Sequence, residues 1–189
     1  MNLLKEKILE EGHVLSANIL KVDSFLNHQM DPVLMYKIGE EFAKRFEGEI
    51  ITKVLTVEAS GIAAALMTGL VLGVPVVFAK KKKPSTMDGA FFSGRIHSFT
   101  KNETVDIVVA SKYLKSEDRV LIIDDFLATG EAAKGMIEIA RQAACHLVGV
   151  GICIEKSFQD GGKQLREIGV RVETLVSINA LTNGKVDFV

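Results

Sequence analysis

The sequence predicts an α/β domain: a mainly parallel, twisted sheet flanked by helices. Three observations predict it. VPVVFA (74–79), RVLIIDD (119–125) and LVGVGICIE (147–155) run continuously aliphatic instead of alternating, as strands buried on both faces do. Helical patterns separate these runs, the order expected of βαβ units. The 189 residues suffice for one such domain with a substantial core.

The elements follow in order. Leu3, Leu4, Ile8 and Leu9 recur at helical spacing and predict a short amphipathic helix ending near Gly12. SANILKVDSFLNHQMDP (16–32) reads as mostly irregular. Asp31 is a good N-cap and Pro32 fits a first helical position, so a helix is expected over about 33–46. A strand (50–57), a helix (61–72) and a strand (74–79) come next. Strands at 105–111 and 119–125, a helix at 131–144 and a strand at 147–155 continue the alternation. A short helix (162–168) and a strand (170–178) close it. KKKKPSTMDGAFFSGRIHSFTKNE (80–103) breaks the rhythm; its length points to a mobile lid over 82–104, with a β-hairpin arm as the alternative.

Composition narrows the function. A formal net charge of −1 gives no global attraction for nucleic acid or anionic membrane. Cys145 and Cys153 form no metal-ligand array and read as buried thiols of a reducing compartment. The acid-containing N-terminus does not fit a signal peptide, and no apolar run approaches the ~18 residues of a membrane span. A cytoplasmic protein without nucleic-acid or membrane partners is expected.

The chemistry concentrates in VLIIDDFLATGEAA (120–133). Asp124 and Asp125 stand at a strand's carboxyl end, where open parallel sheets bind ligands. Directly after them, the amides of Ala128, Thr129, Gly130, Glu131 and Ala132 enter a helix and can converge on an anion. Two carboxylates beside an anion site conflict unless the ligand joins a hydroxylated sugar to a phosphate. A ribose 5-phosphate meets both demands. A Mg²⁺ phosphatase site or a plain polar turn stays open, whereas GxxxxGK[ST] and GxGxxG are both absent.

VLIIDDFLATGEA resembles the phosphoribosyl-pyrophosphate signature of type I phosphoribosyltransferases. ILKVDSFLNHQMDP, EASGI, KKKKPSTM and GICIEKSFQDGG extend the resemblance along nearly the whole chain, toward the bacterial members that act on xanthine. The resemblance implies a type I phosphoribosyltransferase fold, with a small hood from residues 1–48 and 156–189. It implies ribose hydroxyls on Asp124 and Asp125, and the 5′-phosphate on 128–132. Pyrophosphate falls to Ala59, Ser60, Gly61 and Lys81, with a non-proline cis peptide between Ala59 and Ser60. Arg95 and His97 are further donors from the lid. Leu20, Asn27, Lys156 and Phe158 would hold the base, Lys156 giving its ammonium to a 6-oxo group. Read without the family, Leu20 fits a core, Asn27 a turn, Phe158 an edge aromatic and the lysine run a solvated face.

Ala128 stands where hypoxanthine-guanine enzymes of the family carry an Asp, so no general base is assigned. The implied reaction moves a phosphoribosyl group from phosphoribosyl pyrophosphate to xanthine. Mg²⁺ would be carried by the donor without direct protein ligands, and the protein would be a homodimer. Adenine is the alternative base. A non-catalytic purine regulator is the alternative class, but the ~48 residues before the core strand show no basic helix-turn-helix pattern.

Overall fold

The computed structural model describes residues 1–82, 89–98 and 103–189. Helix α1 (Asn2–Glu11) is followed by a small hairpin, β1 (His13–Ser16) and β2 (Ile19–Lys21), and a π-helical turn, Asp23–Asn27. Helix α2 (Pro32–Arg45), strand β3 (Lys53–Val57), helix α3 (Ile62–Leu72) and strand β4 (Val76–Ala79) come next. Strands β5 (Phe91–Ser98), β6 (Glu103–Ala110) and β7 (Arg119–Leu127) lead to helix α4 (Glu131–Gln142). Strand β8 (His146–Lys156), helix α5 (Gly161–Glu167) and strands β9 (Val172–Thr182) and β10 (Lys185–Phe188) complete the chain.

Among the described residues the main sheet has the order β10-β9-β8-β7-β3-β4. Its pairs are parallel except β10 with β9. The aliphatic runs explain it: Leu121 and Ile123 enter one core, while Val120 and Ile122 enter the other. Helices α1, α2 and α3 cover the first face, and α4 and α5 the second. In α1 only half of the expected stripe is buried: Leu4 and Ile8 are inside, Leu3 and Leu9 exposed. The α2 start is as expected, with Asp31 Oδ1 accepting from Val33 N at 3.0 Å and Leu34 N at 3.1 Å. Such a cap contributes about 1 kcal/mol.

Two expectations need correction. The segment expected to be irregular contains the β1–β2 hairpin and the π-helical turn; short strands of three and four residues leave too little period to read. The strand expected at 105–111 is β6, and it lies outside the parallel sheet. It pairs antiparallel with β5 from Phe91↔Ala110 to Ser98↔Glu103. Its apolar side meets the second core through Ile107 and Val109, which explains an aliphatic run without parallel neighbours.

This hairpin rests on α4. Ser93 N donates to Gln142 Oε1 at 3.0 Å, and Gln142 Nε2 returns a bond to Ser93 O at 2.8 Å. Within the expected lid, 91–98 and 103–104 are therefore strand; 83–88 and 99–102 lie outside the described residues.

Candidate active site

The carboxyl ends of β3, β4, β7 and β8 gather the candidate residues. On β7, Asp124 is 4 % and Asp125 7 % exposed, so the pair sits at the inner edge of the site. Asp125 N donates to Asp124 Oδ1 at 3.0 Å. Burial first, and then the neighbouring Asp125, push the Asp124 carboxyl well above its usual range; Lys81 acts weakly in the opposite direction. An anionic Asp124 is thus disfavoured until donors reach it, as a sugar's hydroxyls would.

The loop after β7 leads into an uncapped helix start. Gly130 adopts φ +83, a left-handed conformation that suits glycine, and α4 starts at Glu131 without a side-chain cap. Its first amides remain available to a phosphate, and the macrodipole favours that charge. Glu131 would oppose an anion, but its carboxylate accepts from Lys134 Nζ at 3.0 Å. Lys134 Nζ also donates to Gln164 Oε1 at 2.8 Å, tying α4 to α5.

A second element supports this loop and was missed in the sequence. Gly161 N donates to Ala128 O at 3.1 Å, and a Gly161 Cβ would collide with the backbone of residues 128–130. Helix α5 is fixed in turn by Glu155, whose carboxylate takes Arg166 Nη1 and Nη2 at 2.7 and 2.8 Å and Thr174 Oγ1 at 2.8 Å. Gly162 leaves room for that ion pair. The signal was an acid in the apolar strand end CIEK close to DGG, since a buried acid calls for a cation or hydrogen-bond partner.

Across the site, Ala59, Ser60 and Gly61 link β3 to α3. The cis peptide is Glu58–Ala59, one bond earlier than expected. Strand pairing runs one residue further than the motif suggests, since Glu58 N still donates to Ala79 O at 3.0 Å. Glu58 is a further missed residue: its Oε1 accepts from Lys81 N at 2.7 Å, stitching the two loops together. Lys80 is fixed by a backbone bridge to Val108, and Lys81 is exposed on the site side. Arg95 pairs with Asp106 at 3.5 Å and His97 Nδ1 lies 3.3 Å from Thr104 Oγ1, both on the β5–β6 hairpin.

The remaining candidates lie toward the N-terminal hairpin. Lys156 Nζ donates to Asn18 O at 2.7 Å and sits 5.3 Å from the centre of the Phe126 ring. Burial lowers the Lys156 pKa. Leu20 is buried in the first core, against which Phe126 and Phe158 also pack. Asn27 stands exposed at the end of the π-helical turn. Phe158 shares a cleft of about 480 Å³ with Thr129, Glu131, Lys134, Gln159, Asp160 and Gln164. The loop after β7 and Phe158 thus face one space.

No family model matches the chain. A Moorella thermoacetica protein named xanthine phosphoribosyltransferase is 68 % identical over 188 residues, covering 100 % of this chain and 96 % of the relative. The chain belongs to the xanthine phosphoribosyltransferase family. A Bacillus cytotoxicus xanthine phosphoribosyltransferase is 57 % identical over 189 residues, again 100 % of this chain and 96 % of the relative. Among solved structures, adenine phosphoribosyltransferase of Trypanosoma brucei, in complex with AMP, pyrophosphate and ribose-5-phosphate, matches with TM-score 0.74 at 21 % identity. That match covers 92 % of this chain and 79 % of the other. The Rhodothermus marinus adenine phosphoribosyltransferase gives TM-score 0.74 at 22 % identity, covering 94 % and 99 %. At these identities the two structures show the fold that the xanthine phosphoribosyltransferase family shares: a type I phosphoribosyltransferase sheet flanked by helices.

Proposed function

We propose that this protein transfers the 5-phosphoribosyl group of phosphoribosyl pyrophosphate to xanthine in purine salvage, giving xanthosine 5′-monophosphate and pyrophosphate. The observation that carries the reading is the buried acid pair near the carboxyl end of β7, followed within one short loop by the open amides of α4. The xanthine phosphoribosyltransferase relatives support the choice of base.

Asp124 and Asp125 accept from the ribose 2′- and 3′-hydroxyls, and Ala128, Thr129, Gly130, Glu131 and Ala132 hold the 5′-phosphate. Ala59, Ser60, Gly61 and Lys81 face the pyrophosphate. Its departure from C1′ passes through an oxocarbenium-like state, so positioning and electrostatics dominate the catalysis. Among the described residues no three His, Cys, Asp or Glu side chains cluster to cage a metal. Mg²⁺ held on the donor's oxygens would need no protein cage and would supply charge neutralisation to the pyrophosphate. Lys156 donates to the purine 6-oxo group and opposes the amino group of adenine, which would leave the ammonium unsatisfied. Phe158 walls the base, and Leu20 and Asn27 complete its pocket under a hood formed by 1–48 and 156–189. The Lys156–Asn18 bond supports that hood by joining the two segments.

The protein works in the cytoplasm as a homodimer; among the described residues no helix is long and apolar enough to cross a membrane. Turnover of phosphoribosyl pyrophosphate with xanthine, guanine, hypoxanthine and adenine in parallel tests the reading. Xanthine should be used well and adenine poorly. Preference for adenine would overturn the role of Lys156, and no turnover with any base would overturn the enzyme.

A further inference from the structure

Thr56 lies one residue before the end of β3 and is 0 % exposed. Among the described residues its Oγ1 has no hydrogen-bond partner. Three other buried or half-buried threonines are satisfied: Thr68 of α3 donates to Ala64 O at 2.8 Å, Thr174 of β9 to Glu155 at 2.8 Å and Thr52, just before β3, to Asp118 at 3.1 Å. An orphaned hydroxyl in a core costs free energy that an isosteric valine would not. Something other than folding keeps it there.

Its surroundings say what. Gly61, at the start of α3, has an ordinary φ of −70, so its lack of a side chain is not a matter of backbone conformation. The point where a Gly61 Cβ would stand is touched by Thr56 Oγ1 and lies 2.8 Å from Asp124 Oδ1. Glycine therefore keeps clear a point that both the hydroxyl and the carboxylate border. The two oxygens are within reach through a small rotation of the carboxylate or through one water.

We propose that Thr56 is a positioning residue for Asp124, its hydroxyl donating to the carboxylate when the ribose of the donor is bound. Gly61 serves both halves of the site, giving amides to the pyrophosphate side and clearance to the sugar side. The inference rests on the phosphoribosyl-transfer reading above. That reading is tested separately by turnover of the unaltered protein with xanthine.

Thr56→Val and Thr56→Ser decide the matter. The valine variant should be as stable as the parent or more stable in urea denaturation. Its kcat/KM for phosphoribosyl pyrophosphate should fall about tenfold, mainly through KM, as expected for one bond to a charged group. Thr56→Ser should restore donor KM to within about twofold. In an Asp124→Asn background, Thr56→Val should add no further loss. An unchanged donor KM in Thr56→Val, a serine variant as impaired as the valine, or losses that add in the double variant would each overturn the proposal. A valine variant that is less stable or does not fold would overturn it too, by showing the hydroxyl satisfied in the free protein.

Discussion

Gly161→Ala tests whether α5 braces the phosphate loop. The added Cβ would stand 2.5 Å from Gly130 N and 2.6 Å from Thr129 C, where ordinary contact begins at 3.4 Å. It would also press on Ala128 O, the acceptor of the Gly161 N–H. All three atoms are backbone, so no side chain can swing away; loop or helix must retreat by ~1 Å, at about 1–3 kcal/mol for overpacking. For a domain of this size that lowers Tm by roughly 2–12 °C. A displacement of this order at a positioning group is worth up to ~100-fold in rate. Steady-state kinetics with phosphoribosyl pyrophosphate varied should show donor KM raised at least about tenfold, with KM for xanthine much less affected. Melting by calorimetry measures the stability arm. An alanine variant with parental Tm and donor KM within about twofold would refute the brace, because it would mean the loop is held without contact from α5.

Four further expectations use the same geometry. Asp124→Asn with Asp125→Asn should lower kcat/KM for the donor by at least ~100-fold. Asp124→Asn alone should be more stable than the parent at neutral pH in urea titrations. Its raised folded-state pKa means the parent loses stability as pH rises from the unfolded value, about 4, toward the folded one, so the gain should vanish in acid. Arg166→Met leaves the Glu155 carboxylate buried with Thr174 and should cost about 1–3 kcal/mol. Burial alone would raise the Glu155 pKa, but the bonds from Arg166 and Thr174 outweigh it and hold it low. That stabilisation is complete above the unfolded carboxyl value and is lost as pH falls through the folded one, so parent and variant should converge in acid denaturation. Lys156→Met should reduce kcat/KM with xanthine by roughly 10–100-fold, measured against unchanged melting.

Apart from β10, whose four residues are too few to show a period, the sequence by itself determined the strands of the main sheet, the Asp31 cap and the loop after Asp125. Each is written locally, in a continuous aliphatic run, a capping residue before Pro32, or acids followed by Thr-Gly at a strand end. It offered a hairpin arm only as the alternative to a lid and placed 105–111 in the parallel sheet, because Ile107 and Val109 make an apolar run whether their neighbours are parallel or antiparallel. It did not show Glu58, Glu155, Arg166, Gly161 or Thr56 as parts of the site. Their partners lie across elements: Glu58 meets the backbone of Lys81, Glu155 meets Arg166, and Thr56 faces Asp124 over Gly61. Whether a buried acid or hydroxyl is satisfied depends on distances between segments remote in sequence, and composition carries no record of them. The groups proposed to touch the ligand were legible as motifs; those that pack against them were decided by tertiary structure.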